Sequence, residues 1–369
     1  MVKKRPDWSS GRVVTLEHTS EILKENPLRD PYVRSLDVWL PPQYDQGVGQ
    51  GRGKRFPVLF DLVGYTGSGK SHTNWRNFDE NLPERAARLV HEKQMGPCVL
   101  VFPDCFTALG GNQYINSSAL GRYADYLTKE LVPFVDREFR TLASRDHRGC
   151  FGKSSGGYGA ILHGMKYPRC WGAIANHSGD AYFDFLYRCD WPNTLNVLAT
   201  HRRRERKSGL ISVAREEEGC GEGFDDGRIR RFLKNIWEKE KLTSAEVHAL
   251  MMVAMAASYD PDPNAPNGFR IPFNLETGEI IHTRWREWLK HDPINLVARH
   301  SKNLNTLHGI FIDCGWMDQY QIHYGARILS KRLIQSGIEH RYEEFADTHS
   351  GIDYRMDKSL PFLYRALKP

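Results

Sequence analysis

The sequence predicts an α/β fold: one mostly parallel sheet of about eight strands, flanked by helices, with a mainly helical segment inserted into it. Three observations carry this expectation. Short β-rich runs recur along the chain and are separated by longer stretches of helical spacing, as in a parallel sheet covered by helices. That alternation is interrupted for about 110 residues, from Ala181 to Lys290. And 369 residues, 40% of them hydrophobic, are more than one typical domain core requires.

In chain order, the expected strands are Arg12 to Glu17, Val33 to Leu40, Pro57 to Val63, Cys98 to Phe102, Arg148 to Phe151, Gly172 to Ala175, Leu307 to Asp313 and Arg341 to Phe345. No long helix fits between the first two, so that end of the sheet should be antiparallel. The Gly-rich polar run Tyr44 to Arg55 reads as a turn. Helices are expected at Leu82 to Glu92, Gly121 to Phe134, Gly156 to Lys166 and Tyr324 to Ser336; in the last, Ile328, Leu329, Arg332 and Leu333 have the spacing of a packed face. Within the interruption, Phe232, Ile236, Trp237 and the run Met251 to Met255 have helical spacings, and an irregular stretch follows from Ser258 to Phe269. The expected division is a core of residues 1–180 and 291–369 with an inserted cap, residues 181–290. No internal repeat is present.

Composition narrows the function. The formal net charge of +6 comes from 51 cationic and 45 anionic residues spread along the chain, which is a mixed surface and not a nucleic-acid footprint. The densest basic run, His201 to Lys207, is followed by Glu216 to Glu218 and reads as a solvated helix face. Seven cysteines without a two-residue spacing argue against a disulfide framework or a metal centre. The basic start of the chain leads into no apolar stretch, and no run approaches the roughly 18 apolar residues of a membrane span. A soluble, cytoplasmic protein with no nucleic-acid or membrane partner is expected; a homo-oligomer is compatible with the sequence.

Two motifs compete for the chemistry. Gly152-Lys153-Ser154-Ser155-Gly156 matches the G-x-S-x-G nucleophile elbow. Gly64 to Ser71, GYTGSGKS, matches the phosphate-binding loop G-x-x-x-x-G-K-[ST]. By chance alone the first appears in about one chain in six of this length and the second in only about two per cent, so context has to decide. A phosphate loop needs a helix starting at its Lys-Ser, whose N-terminal amides hold the phosphates. Here the chain runs into HTNWRNFDENLP, where Asn, Asp and Pro83 break any helix early. Asp104, at the end of a strand, would be the metal-binding acid of that reading.

The elbow has better surroundings. The strand RGCF leads through a sharp turn at Ser154 into GGYGAILHGMKYP, whose glycines allow close backbone approach. Ser154 is favoured over Ser155 because only it has Gly at both flanking motif positions. A strained turn is needed so that the hydroxyl projects at the sheet edge; a merely Gly-rich helix entry is the bland alternative. The order nucleophile, acid, base, each after a later strand, is that of α/β-hydrolases. HGIFIDCGWMDQY supplies a strand followed by Asp313 and Asp318, and RYEEFADTHSG supplies the last strand followed by His349. Asp318 is preferred as the acid because Asp313 sits at the strand end, where an Asp often caps a turn. Asp347 reads as a loop residue.

With these residues in place, the chain resembles the esterase D branch of α/β-hydrolases, which includes S-formylglutathione hydrolases and enterochelin-esterase-like proteins. The matching stretches are Phe56 to Gly67, CVLVFPDC, Tyr123 to Arg140, FGKSSGGYGAILHGMKYP and the two loops that carry Asp318 and His349. The resemblance implies that the turn GYTGSG forms one side of an oxyanion hole, with the backbone amides of Tyr65 and Ser155 as donors. Val63, before Gly64, stands where many relatives of the wider fold have His, and Lys153 and Ser155 fill positions where several relatives carry other side chains. The long cap departs from the compact S-formylglutathione hydrolases.

A serine esterase acting through an acyl-enzyme on a small-molecule ester, without metal or organic cofactor, is the function expected. Residues considered for the substrate are His177, Ser178 and Asp180 after the sixth strand, although a satisfied loop histidine accounts for His177 equally well. Trp285, Trp288 and Trp191 would form an aromatic wall or, more commonly, pack the cap against the core. Two alternatives are carried forward: a catalytically silent binding protein of the same fold, and a nucleotide-binding protein using Gly64 to Ser71.

Overall fold

The computed structural model describes residues 8–46, 53–202 and 225–367. Most of the basic run at 201–207, all of Glu216 to Glu218 and the middle of the Tyr44 to Arg55 turn lie outside the described residues. Eight strands form one sheet: β1 (Arg12–Thr19), β2 (Val33–Leu40), β3 (Val58–Leu62), β4 (Val99–Pro103), β5 (Arg148–Lys153), β6 (Ala173–His177), β7 (Gly309–Gly315) and β8 (Arg341–Phe345). Their order is β1-β2-β4-β3-β5-β6-β7-β8. The expected antiparallel end is there: β1 runs antiparallel to β2, and β2 antiparallel to β4. Every other pairing is parallel. This is the α/β-hydrolase arrangement.

The longer helices are α1 (Leu82–His91), α2 (Ser155–Lys166), α3 (Trp191–Ala199), α4 (Arg228–Glu238), α5 (Ser244–Tyr259), α6 (His282–Leu289), α7 (Pro293–Leu304), α8 (Ile322–Gln335) and α9 (Met356–Leu367). A further helical stretch covers 123–138. It starts at Tyr123 and not at Gly121, because Gly121–Arg122 pairs with Asn116–Ser117 in a small hairpin. Helices α1 and α5 begin in capping boxes, Asn81 with Glu84 and Thr243 with Glu246. Helices α7 and α9 have no counterpart among the helices expected from the sequence; α9 carries Pro361 in its interior, a residue that usually breaks a helix.

Alternation along the strands divides the core into two faces. Leu59, Leu100, Phe102, Phe151, Ala173, Ala175 and Phe311 pack against α1 and α9. Phe60, Leu62, Val101, Cys150, Ile174 and Ile312 belong to the larger cluster on the opposite face. That cluster takes in Tyr158, Ile161 and Met165 of α2 and the buried residues of α5. Helix α5 is hydrophobic around its whole circumference from Ala249 onward and is correspondingly buried.

The chain between β6 and β7 holds α3 to α7. Its two ends are tied by Asp292, which is 1% exposed. This carboxylate accepts from the amides of Tyr182 (3.1 Å) and Phe183 (2.8 Å) at the start and from Ile294 (3.2 Å) in the first turn of α7. Asn303 of α7 in turn donates to the Met165 carbonyl of α2 at 2.7 Å. Among the described residues, no helix is long and apolar enough to cross a membrane.

Candidate active site

The loops leaving the carboxyl ends of β3 and β5 meet where the strand order reverses, since β4 lies on one side of β3 and β5 on the other. Open α/β sheets bind ligands at such a switch point. Ser154 follows β5 with φ 58° and ψ −126°, a strained conformation for a residue with a side chain. It is held there from both sides: its amide donates to the His177 carbonyl at 3.0 Å, and its carbonyl accepts from the Tyr158 amide at 2.9 Å.

The flanking glycines are a requirement of packing. A Cβ on Gly156 would lie 1.7 Å from the Leu62 carbonyl oxygen, and one on Gly152 would lie 2.1 Å from the same atom. The absence of both side chains lets α2 start directly over β3, with Ser155 as its first residue. The amides of a first helical turn have no intrahelical acceptor and point outward as donors.

The turn after β3 lies beside Ser154. A Cβ on Gly64 would be 3.4 Å from the Cβ of Ser154 and 3.3 Å from the Lys153 carbonyl oxygen. The turn is fixed by the Tyr65 hydroxyl, which donates to the Leu109 carbonyl at 2.7 Å, and by the Thr66 amide, which donates to Gly110 at 2.7 Å. Tyr114 braces the end of β3 by donating its hydroxyl to the Val63 carbonyl at 2.6 Å.

The structure brings Asp318 and His349 together. His349 Nδ1 lies 2.7 Å from Asp318 Oδ2, and both residues are buried. Asp318 Oδ1 accepts from the Tyr320 amide at 2.8 Å, while the Gln319 side chain accepts from the His349 amide at 3.0 Å. The Tyr320 ring packs edge-on against the imidazole at a centroid distance of 4.9 Å. Asp313 is engaged elsewhere: Oδ1 lies 2.6 Å from His177 Nδ1, and Oδ2 accepts from Arg355 Nε at 2.8 Å.

His177 does not open onto a cleft. Its parity along β6 matches Ala173 and Ala175, so its side chain lies on the α9 face, opposite α5. There Asp313 and Ser359 (2.8 Å from Nε2) occupy both ring nitrogens, and the residue is 1% exposed. Trp285 and Trp288 are also buried. They pack against each other, and Trp288 adds edge contacts to Tyr187 and Tyr259. This is core packing and not an open wall.

Asp180 closes a buried polar chain that sequence reasoning could not assemble. Its Oδ2 accepts from the Tyr187 hydroxyl at 2.8 Å and from Gln113 Nε2 at 3.2 Å. Gln113 also donates to Ser155 Oγ at 2.9 Å. Burial raises the Asp180 carboxyl above the ordinary carboxylate range, against hydrogen bonds from Tyr187 and Gln113 and the nearby His349. The chain thus runs from the elbow to the neighbourhood of His349. Gln113 sits in an irregular loop with no periodic signal to single it out.

The Gly64 to Ser71 segment does not continue into a long helix. Only Lys70–Thr73 is helical, and the next helix starts at Leu82. A Cβ on Gly69 would lie 2.2 Å from the Phe102 carbonyl oxygen, so the turn is packed onto the end of β4. Among the described residues, no group of three or more His, Cys, Asp or Glu side chains is arranged to hold a metal ion.

Comparison with known proteins agrees with this architecture. The model of the esterase family, described as "Putative esterase", matches residues 33–357. Esterase Rv1288 of Mycobacterium tuberculosis (strain ATCC 25618 / H37Rv) is 29% identical over 167 residues, which are 43% of this chain and 32% of that protein. The aligned part thus spans about a third of that relative's length. Among solved structures, a ferulic acid esterase superposes with a TM-score of 0.57 at 16% identity, covering 96% of this chain and 98% of the other. An S-formylglutathione hydrolase from Agrobacterium tumefaciens gives a TM-score of 0.54 at 16% identity, covering 99% of each chain. At such identities the likeness is one of fold, and the family model, which takes in most of the sequence, places this chain in the esterase family.

Proposed function

We propose that the protein is a serine hydrolase that cleaves carboxylic esters of small molecules, with Ser154 as nucleophile, His349 as base and Asp318 as the orienting acid. The observation that carries this reading is the 2.7 Å pairing of His349 Nδ1 with Asp318 on the loops after β8 and β7, taken together with the turn after β5 that holds Ser154 at positive φ. Asp318 fixes the imidazole tautomer with its proton on Nδ1, leaving Nε2 to accept the Ser154 proton as the hydroxyl attacks the ester carbonyl. The imidazolium then returns that proton to the departing alcohol. An acyl-enzyme results, and water resolves it by the same steps in reverse roles.

Negative charge develops on the carbonyl oxygen in the transition state. The backbone amides of Tyr65 and Ser155 are the donors assigned to it, because the Gly64 turn abuts Ser154 and Ser155 opens α2. Each such donor is worth about 10²- to 10³-fold in rate. The insertion between β6 and β7 is assigned the choice of substrate, since α5 places Met255 and Tyr259 on the Gln113–Asp180–Tyr187 chain.

A fluorophosphonate tests the nucleophile directly. Mass spectrometry of the labelled protein should find one adduct, on Ser154, and none in Ser154→Ala. An adduct elsewhere, or no adduct in a folded protein, contradicts the assignment. Magnesium-ATP should leave the melting temperature unchanged; a rise would favour the nucleotide reading of Gly64 to Ser71.

A further inference from the structure

On the face of the sheet opposite α5, a set of charged side chains lies directly beneath the proposed site. Lys153, the residue before Ser154, shares its strand parity with Phe151 and so points toward α9. Its Nζ lies 3.1 Å from Asp353 Oδ1. The other oxygen of Asp353 takes Arg76 at 2.6 Å. Arg76 belongs to the segment that follows the Gly64 turn, and His72 of the same segment folds back onto Asp61 of β3 at 2.5 Å. His72, Arg76 and Asp353 line one small cleft. Asp353 itself sits in the single turn Ile352–Arg355, four residues after His349.

We propose that Asp353 is a positioning residue that locks together the three segments carrying Ser154, the Gly64 turn and His349. This rests on the function proposed above. Each carboxylate oxygen holds a cation from a different segment, so one side chain sets two spacings at once. The side chains of Asp353, Lys153 and Arg76 are 10%, 21% and 30% exposed, which limits screening by water. Burial opposes charge on Asp353, but Lys153, His72 and Arg76 together hold its carboxyl well below the ordinary range. Arg355, two residues on, secures the same turn to Asp313 of β7 and to Glu343 of β8. None of these side chains takes part in the chemistry. Their effect is on the relative placement of groups that do, where a displacement of about 1 Å costs on the order of 10²-fold in rate.

The test compares wild type with Asp353→Asn, Lys153→Met and Lys153→Arg. Steady-state hydrolysis of p-nitrophenyl acetate is read together with amide hydrogen exchange by mass spectrometry. Asp353→Asn and Lys153→Met should lower kcat about 10- to 100-fold with KM within about threefold of wild type, and Lys153→Arg should restore most of kcat. In Asp353→Asn, exchange should quicken in peptides covering 64–78 and 153–158 as well as in 349–357. Exchange that quickens only in 349–357, or kcat within twofold of wild type in both disruptive variants, overturns the proposal. Should Asp353→Asn not fold, Lys153→Met carries the comparison for the contact it breaks, with faster exchange expected in 153–158 and 349–357. A wild type without esterase activity overturns the proposed function instead, and the exchange pattern alone then decides the positioning role.

Discussion

Asp318 uses both carboxylate oxygens to hold one geometry: Oδ2 lies 2.7 Å from His349 Nδ1, and Oδ1 accepts the Tyr320 amide at 2.8 Å. The second bond fixes the carboxylate plane, and the first then fixes the imidazole. Asp318→Asn should keep the shape while presenting an amide in place of the carboxylate, which favours the wrong imidazole tautomer. We expect kcat to fall roughly 10³- to 10⁴-fold with little change in KM or melting temperature. Asp313→Asn should do the opposite, lowering stability by breaking its pairing with His177 and Arg355 while sparing the acid's role. Kinetics and melting curves of the two variants, side by side, check the distinction.

The elbow predicts a steric effect. Gly156→Ala brings a methyl group to 1.7 Å from the Leu62 carbonyl oxygen, an atom of a central strand that cannot move aside. The variant should lose about 3 kcal/mol of stability or more, together with activity, because α2 must lift from β3. Urea unfolding monitored by tryptophan fluorescence measures it; a wild-type midpoint contradicts the packing account.

Asp292 predicts a local anchor. Removing the carboxylate in Asp292→Ala leaves the amides of Tyr182, Phe183 and Ile294 without their acceptor, at a cost of roughly 2–4 kcal/mol. Limited proteolysis should then cut first within 181–292, before the sheet is attacked.

A pH dependence follows from His163. Its Nδ1 accepts from Trp171 Nε1 at 3.0 Å, so its proton is on Nε2, facing the Tyr114 carbonyl at 2.9 Å. Burial disfavours the cation and lowers its pKa to about 4. An unfolded chain takes up that proton near pH 6.5, whereas the folded one refuses it until about pH 4. Stability is therefore lost as pH falls between these values, by on the order of 3 kcal/mol from this group. Chemical denaturation at pH 7 and pH 4.5 should show a shallower loss in His163→Gln than in wild type. His291, also lowered to about 4 by burial, contributes equally to both proteins and cancels.

Much of this architecture was legible in the sequence, for identifiable reasons. The eight strands are short β-rich runs bounded by turn residues, and each lies within a few positions of its expected limits. The glycines flanking Ser154 announced close backbone approach, which the Leu62 carbonyl explains. His177 was read on position alone, as a residue after a strand, although its alternation with Ala173 and Ala175 already assigns it to the α9 face. The GYTGSGKS segment matches a phosphate loop because both uses need glycines for tight turns; the short helix Lys70–Thr73 and the packing of Gly69 on Phe102 argue for the turn. Asp353 could not be found from spacing: its partner Lys153 is 200 residues away, and the pairing exists only once β5 and the final turn have met.

The most direct test of the central claim is hydrolysis of short-chain p-nitrophenyl esters by wild type and by Ser154→Ala, with the fold of the variant checked by its melting curve. Wild type should turn over these esters, and the variant, melting as wild type does, should lose at least about 10³-fold. Equal turnover by the two proteins, or none by a folded wild type, would contradict it.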